Sequence, residues 1–175
     1  MTSIVNKVET GIPPTTNNRI IDLLYLSTSW GFGSDVGLSQ RSTNKMDSGF
    51  VVTSFSDSNP SFQIDSLNIY ANVILDAISH NSFFKYNRVR RLYWNWYHSN
   101  SQAEFHQDNE ADNQVSIIYN LHDNDGGTEF QIGDKIEFFK SEPSQALIFP
   151  SKIFHRGIAP KEKCNRFCLN ILTEI

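Results

Sequence analysis

The chain has 175 residues, of which 39% are hydrophobic, 13% aromatic and 19% charged. This composition is typical of a folded protein, and the length favours a single domain over residues 1–175. The net charge of −4 gives no support for a surface that binds nucleic acid or an anionic membrane. No apolar run is long enough to cross a bilayer and no signal peptide is evident, so we expect a soluble, intracellular, cytoplasmic protein.

The first half of the chain predicts helices and one strand that support a core further along. Its two early prolines argue against a helix in the leader, and Asn17 or Asn18 is suited to cap the helix that follows. Regular apolar spacing from Leu67 to Ile78 predicts a longer helix. In chain order we expect an extended leader over 1–17, a short helix over 19–28, a long polar loop over 33–48, a strand over 49–55, a turn over 57–60 and a helix over 66–80.

The second half predicts almost entirely short strands and turns. Many short strands after a helical start favour a mainly β sandwich or jelly roll, which can bring distant segments to one mouth of a barrel. Arg88-Val89-Arg90-Arg91 is expected to be a solvated strand start, and Trp94 and Trp96 are expected mainly to pack. The predicted strands cover 89–98, 115–121, 128–132, 135–139, 145–149 and 166–172, with a turn over 123–127.

The two cysteines, Cys164 and Cys168, lie in one C-terminal run that predicts a strand. An even separation on a strand places both side chains on one face, too far apart along it for a good disulfide. We therefore expect free thiols in a reducing compartment. A metal-binding role is not expected for them, because no second Cys/His pair completes a zinc set.

Two histidines and one aspartate carry the clearest chemical signal. His106 and Asp108 stand two apart, so on an extended chain their side chains point to the same side. His155 follows far downstream, at a distance that several antiparallel strands can span. The order His-x-Asp…His is the ligand set of a non-haem Fe(II) facial triad. His80, His98 and His122 have no partner at ligand spacing and are expected to be surface or supporting histidines.

Such a triad needs an organic co-substrate, and Arg166 offers a place to hold one. It begins an apolar predicted strand, so its guanidinium is expected at the rim or inside, where it requires an anion that suits its planar fork. The hydroxyl of Tyr97 could donate a second hydrogen bond to that anion. Arg156 directly follows the third proposed ligand, so it is expected to point away from the metal.

These residues resemble the 2-oxoglutarate/Fe(II)-dependent dioxygenase superfamily, most closely the prolyl 4-hydroxylase-like branch and its small bacterial and phage relatives. The likeness covers residues 88–173, and residues 1–80 match only loosely as support. The motifs, in order, are Tyr97…His106-Gln107-Asp108, Ile118-Tyr119-Asn120-Leu121, Gly126-Gly127-Thr128-Glu129-Phe130, Leu147-Ile148-Phe149-Pro150…His155-Arg156-Gly157 and Asn165-Arg166-Phe167.

The resemblance implies a double-stranded β-helix (a cupin-like jelly roll) with supporting N-terminal helices. It implies that iron is held by His106, Asp108 and His155. The distal carboxylate of 2-oxoglutarate is assigned to Arg166, with Tyr97 assisting. Thr128 falls at a turn threonine near the co-substrate pocket, and Asn120 falls where many relatives carry a tyrosine; the amide of Asn120 can still donate a hydrogen bond.

The implied activity is hydroxylation of an organic substrate with Fe(II), 2-oxoglutarate and O2, with release of succinate and CO2. The substrate is expected to be a small molecule or a peptide, and peptidyl proline is the first to test. Its groove would have the loop 33–48 and the segment 99–104 as walls, with Trp94 and Trp96 available to stack on a proline ring.

Two other classes stay open at this point. A cupin-like metalloenzyme that does not use 2-oxoglutarate would leave Arg166 without a ligand. A non-catalytic jelly roll that binds sugar or peptide would not need three metal ligands. Iron binding and a requirement for 2-oxoglutarate separate these classes from an oxygenase. The sequence does not predict the oligomeric state.

Overall fold

The computed structural model describes residues 4–32, 50–57, 65–99, 101, 103–162 and 165–175. Within these ranges two helices and ten strands follow one another along the chain. They are β1 (Asn6–Glu9), α1 (Pro14–Leu26), β2 (Gly31–Phe32), β3 (Phe50–Ser56), α2 (Asp65–Ser82), β4 (Arg88–His98), β5 (Gln114–Asn120), β6 (Gly127–Ile132), β7 (Lys135–Lys140), β8 (Gln145–Pro150), β9 (His155–Ile158) and β10 (Asn165–Glu174).

The strands form two sheets, and every pairing within them is antiparallel. The larger sheet has seven strands in the order β1-β8-β5-β10-β4-β3-β2, and the smaller has three in the order β7-β6-β9. Strands that are neighbours in the larger sheet come from distant parts of the chain, as β1 and β8 do. This crossed connectivity brings segments far apart in sequence next to one another.

The helices cover one face of the larger sheet. Side chains of α1 and α2 are buried there against residues that alternate along β4, β5 and β10. Trp94 belongs to this face: it has no exposed surface, and its Nε1–H donates to Ser54 Oγ at 2.8 Å. Burial of this apolar face is the main source of stability for the helices. The cluster includes Ile20, Leu24, Leu67, Ala71, Ile74, Leu75, Ile78, Trp94, Ile117, Tyr119, Phe167, Leu169 and Ile171.

The opposite face of the larger sheet, here called the interior face, looks towards the smaller sheet. A second apolar cluster joins the two sheets through Ile118, Cys168 and Phe149 on one side and Phe130 on the other. Because side chains alternate along a strand, the pairing register determines which other residues share this face. They are Arg91, Tyr93, Asn95 and Tyr97 on β4, Ser116 and Asn120 on β5, and Arg166 and Asn170 on β10.

The Gly126-Gly127 pair is required by the close packing of the smaller sheet. A Cβ atom on Gly127 would lie 2.2 Å from the carbonyl oxygen of Phe139, and one on Gly126 would lie 2.5 Å from that of Ile158. Both distances are far below van der Waals contact. The two glycines therefore let β6 fit between its neighbours and place Thr128, the next residue, at a fixed position.

The mainly β architecture with N-terminal helices is confirmed, and the predicted strands of the second half are present with small shifts at their ends. The prediction that the early prolines exclude a helix was wrong. Helix α1 begins at Pro14, because proline is well tolerated at the first helical position, where its missing N–H has no intrahelical partner. Residues 6–9 are extended as predicted, but as a strand paired with β8 rather than a free leader.

The short strand β9 was not predicted, since four residues with one glycine give a weak pattern. The predicted loop 33–48 and most of the predicted turn 57–60 lie outside the described residues. Among the described parts of the chain, neither helix combines the length and the apolar character that a membrane span requires. Cys168 is a free, buried thiol, while Cys164 lies outside the described residues.

Candidate metal centre

His106 and His155 are joined directly by their main chains. They form an isolated antiparallel bridge, in which the N–H of His106 donates to the carbonyl of His155 at 3.0 Å and the reverse bond measures 2.9 Å. The two imidazole rings lie side by side, with 4.5 Å between their centres. Two histidines separated by many residues in sequence are thus placed next to each other by a sheet-like contact.

Asp108 completes a cluster of three possible metal ligands. Its backbone N–H donates to the carbonyl of Ser151 at 3.1 Å, which fixes the chain two residues after His106. Its Oδ2 atom lies 3.6 Å from Nε2 of His155. One donor atom from each of His106, Asp108 and His155 lies within 4.8 Å of the others, and no further group of this kind occurs among the described residues.

Both histidines are held in the tautomer that a metal ligand needs. Nδ1 of His106 lies 3.0 Å from the carbonyl oxygen of Glu104, and Nδ1 of His155 lies 2.9 Å from that of Ile153. A carbonyl oxygen only accepts, so Nδ1 carries the proton and the Nε2 lone pair stays free. Burial lowers the pKa of His155 to about 4, against an opposing effect of Asp108, so His155 is neutral at pH 7.

The carboxylate of Asp108 is buried, and both of its oxygens are hydrogen-bonded. Burial by itself would raise the pKa of Asp108, but the positive charge of Arg91, the neighbouring rings of His155 and His106 and a hydrogen bond from Ser116 hold that pKa well below its usual range. Ser116 Oγ donates to Oδ2 at 2.6 Å, and Arg91 Nη2 donates to Oδ1. Two imidazoles with Nε2 directed to a shared point and one carboxylate are the donor set of the Fe(II) facial triad, so these residues fit that ion.

Arg91 corrects the prediction that Arg88-Val89-Arg90-Arg91 is a solvated strand start. Arg88 and Arg90 do pair with Asp57 near the surface. The side chain of Arg91, however, is only 10% exposed and forms an ion pair with Asp108, whose side chain is 1% exposed. Strand alternation was the signal that could have revealed this, because Arg91 stands an even number of residues before Tyr97.

A second polar site surrounds Arg166, which is 1% exposed. Its Nη2 donates to Thr128 Oγ1 at 3.1 Å and to Asn120 Oδ1 at 3.4 Å, and its guanidinium carbon lies 5.2 Å from the centre of the Tyr97 ring. Its Nε and Nη1 atoms are buried without any hydrogen-bond partner. No carboxylate of the described residues pairs with Arg166, and an unpaired buried cation is costly, so this site suits an anionic ligand.

Tyr97 connects this second site with the metal cluster. It stands opposite Arg166 in the β4–β10 pair. Its ring also lies against Gly157, where a Cβ would be 2.6 Å from Cζ and 2.7 Å from the hydroxyl oxygen. Gly157 follows His155 by two residues on β9, so Tyr97 bridges the strand of the third proposed metal ligand and the strand of Arg166.

The structure thus brings all seven predicted site residues to the space between the two sheets. Arg156, Trp94 and Trp96 lie outside that space. Arg156 turns away from the metal cluster as predicted: its Nη2 lies 2.7 Å from Glu129 Oε2, and its guanidinium lies over the Phe105 ring at 4.5 Å. Trp94 and Trp96 pack on the helix-covered face, so the idea that they stack on a substrate at the metal was wrong. His122 accepts a bond from the N–H of Phe167 at 3.2 Å, a supporting role beside Arg166.

Comparison with known proteins gives a match in structure but not in sequence. No family model and no curated protein matches the chain. A Pseudomonas putida prolyl-4-hydroxylase superposes with a TM-score of 0.68 at 12% identity, covering 99% of this chain and 94% of that one. The chain has the fold of the 2-oxoglutarate-dependent oxygenases. At such low identity the likeness establishes the double-stranded β-helix fold, which the motifs predicted.

Two further structures with this fold cover a similar share of the chain. A Trichoplax adhaerens prolyl hydroxylase, solved with a peptide fragment of the hypoxia inducible factor oxygen degradation domain, gives a TM-score of 0.70 at 14% identity, over 99% of this chain and 84% of that one. The non-heme alpha ketoglutarate dependent epimerase SnoN from nogalamycin biosynthesis gives 0.72 at 10% identity, over 98% and 78%. Proteins with this fold therefore include enzymes that act on quite different substrates.

Proposed function

We propose that this protein is an Fe(II)- and 2-oxoglutarate-dependent dioxygenase that hydroxylates an organic substrate and releases succinate and CO2. The observation that carries this proposal is the presence of two neighbouring sites of matching chemistry. His106, Asp108 and His155 form a cluster suited to a divalent cation, and the buried Arg166 has two nitrogen atoms without a hydrogen-bond partner among the described residues. An iron ion together with a co-substrate that carries two carboxylates would fit both sites.

Each residue has a definite part in this proposal. Bound iron, with 2-oxoglutarate and O2, supplies an oxidant that can break a C–H bond of the substrate. His106, Asp108 and His155 hold the ion from one side and leave the other side open. Arg166 pairs with the distal carboxylate of the co-substrate through the Nε and Nη1 atoms that have no partner.

The neighbours of Arg166 orient it for that task. Thr128 and Asn120 both accept from Nη2, which leaves the other two nitrogens of the guanidinium for the ligand. Tyr97, beside Arg166, donates its hydroxyl proton to the same carboxylate. We place the proposed catalytic core at residues 88–173, because all of these residues lie within it, in one domain with the helices that support the sheet.

The proposal also includes a class of substrate. Solved structures with this fold were obtained with a peptide fragment in one case, and with Fe3+, alpha ketoglutarate and nogalamycin RO in another. We propose peptidyl proline as the first substrate to test, with free small molecules as the alternative class. The two prolyl hydroxylases among the structural matches support that order of testing.

The decisive experiment is an anaerobic titration of the purified protein with Fe(II) and then with 2-oxoglutarate. We expect stoichiometric Fe(II) binding and, on addition of 2-oxoglutarate, the weak visible charge-transfer band of the ternary complex. An Fe(II) complex without that band would favour a metalloenzyme that does not use 2-oxoglutarate, and no Fe(II) binding would favour a non-catalytic jelly roll.

Substrate class is tested separately by 2-oxoglutarate consumption and mass spectrometry. Proline-rich peptides, free proline and unrelated metabolites are compared side by side. A proline ring that gains one oxygen atom, with one equivalent of succinate formed, supports the prolyl assignment. If only a free small molecule stimulates turnover and gains oxygen, the prolyl assignment fails while the oxygenase assignment stands.

A further inference from the structure

A second buried arginine lies next to the metal cluster. Arg91 lies on β4, on the same interior face as Tyr97, and its guanidinium carbon lies 4.8 Å from the centre of the Tyr93 ring. Its Nη2 donates to Oδ1 of Asp108, while its Nε is buried and has no hydrogen-bond partner. Arg91 therefore engages the proposed ligand carboxylate on one side and keeps one donor unsatisfied.

The charges at this site can be counted. A divalent ion beside Asp108 leaves one positive charge at the metal cluster, and Arg91 adds a second. Arg166 carries a further positive charge, which in the proposed function pairs with the distal carboxylate of 2-oxoglutarate. Without Arg91 the metal end of the site would hold only one positive charge, so its attraction for an anion would be weaker.

We propose that Arg91 is a positioning residue that acts through Asp108: it offsets the negative charge of that ligand, so that the loaded metal site attracts an anionic co-substrate more strongly. This inference rests on the proposed function. Arg91 donates to Oδ1 and Ser116 donates to Oδ2, so the two hydrogen bonds together fix the carboxylate of Asp108. The positive charge of Arg91 repels the metal ion at the same time, so Arg91 weakens metal binding while it strengthens co-substrate binding.

These opposite effects distinguish the proposal from a purely structural role. A residue that only kept the site in shape would, when removed, weaken both binding steps. In Arg91→Gln we expect the affinity for Fe(II) to stay equal to that of the parent or to rise. We expect the affinity of the Fe(II)-loaded protein for 2-oxoglutarate to fall by about tenfold to a hundredfold, the effect of one charge a few ångströms away at the effective dielectric of a protein.

The variants separate charge from shape. Arg91→Lys keeps the charge and should retain most of the co-substrate affinity. Arg91→Met keeps the apolar stem against Tyr93 and serves as a second neutral variant if the glutamine variant does not fold. Arg90→Gln is the matched control, because it removes the same charge one residue away, where the side chain pairs with Asp57 and Glu174 outside the site. Arg90→Gln should change neither affinity.

The experiment is anaerobic calorimetry of each folded variant, first with Fe(II) and then with 2-oxoglutarate on the Fe(II)-loaded protein. A parent that binds no Fe(II) contradicts the proposed function itself. A parent that binds both, with a neutral Arg91 variant whose 2-oxoglutarate affinity is unchanged, overturns only the role of Arg91. A loss of both affinities in the neutral variant, or an Arg91→Lys variant that binds Fe(II) but not 2-oxoglutarate, also overturns it.

Discussion

Arg166 stands directly opposite Tyr97 in the antiparallel pair of β10 and β4, and its guanidinium carbon lies 5.2 Å from the centre of the tyrosine ring. Directly opposed residues share one face of a sheet, so this register alone brings the cation and the phenol to the same site. The aromatic ring stabilises the charge of Arg166 by a cation–π contact.

The first prediction concerns the co-substrate. Arg166→Ala should weaken 2-oxoglutarate binding by roughly 2–5 kcal/mol, the usual loss when one partner of a buried charge pair is removed. Tyr97→Phe should weaken it less, since only one hydrogen bond is lost. The measurement is calorimetry on the Fe(II)-loaded protein, with Arg156→Ala as the control because Arg156 pairs with Glu129. Normal binding in Arg166→Ala combined with weak binding in Arg156→Ala would mean that the wrong arginine was chosen.

The second prediction concerns the metal. His106→Ala, Asp108→Ala and His155→Ala should each lose iron and turnover. The fold should persist, because the larger sheet and the helices are held by an apolar cluster that includes none of these side chains. Iron content is measured by metal analysis, and the fold by circular dichroism. His80→Ala, at an exposed position on α2, is the control and should keep its iron. A ligand variant with full iron content and normal turnover would remove that residue from the site.

The third prediction concerns Gly127. Gly127→Ala should destabilise the protein by about 1–3 kcal/mol or prevent folding, because the added methyl group would overlap the carbonyl of Phe139 at 2.2 Å. Gly31→Ala is the matched control, since a Cβ there would have its nearest contact at 3.7 Å, with the carbonyl of Val51. Urea unfolding measures both free energies. Equal stability of the two variants would show that β6 can move away from β7 at little cost.

The fourth prediction concerns Trp94, which was considered as a substrate platform. Trp94→Phe should lower the free energy of unfolding by about 1–3 kcal/mol, through the lost bond to Ser54 and the smaller buried ring. It should leave the KM for the substrate unchanged, because Trp94 is fully buried on the helix-covered face. Steady-state kinetics at a temperature below unfolding checks this. A raised KM with unchanged stability would restore the platform idea.

The sequence predicted the strands of the second half well, because their patterns are local, while the roles of the seven site residues stay predictions. The spacing of His106 and Asp108 alone predicts that their side chains point to the same side of an extended chain. The apolar run after Arg166 predicts a strand. Arg91 was misjudged because its neighbours Arg88 and Arg90 are charged and near the surface, so the cluster resembled a solvated segment. The alternation of side chains along β4 from Tyr97 would have pointed inward, and the pairing with β10, which places Leu172 opposite Arg91, confirms that this arginine lies on the interior face.

The N-terminal elements were predicted less well from the sequence, for a different reason. Residues 6–9 have a weak local pattern, and their strand exists because β8 offers a free edge from far along the chain. A proline can either interrupt a helix or occupy its first position, and the sequence around Pro14 is compatible with both. In the structure it occupies the first position of α1. Long-range pairing decided the case of β1, and it cannot be deduced from neighbouring residues.

Because of the bridge between His106 and His155, one and the same contact protects the backbone amide protons of both proposed ligands from hydrogen exchange. Each amide proton is bonded to the carbonyl of the other residue, so neither can exchange with solvent deuterium unless the same small contact opens. Their exchange rates should therefore be equal without metal and should slow together when an ion ties the two side chains. A pair of amide signals would then follow metal loading even when turnover cannot be measured.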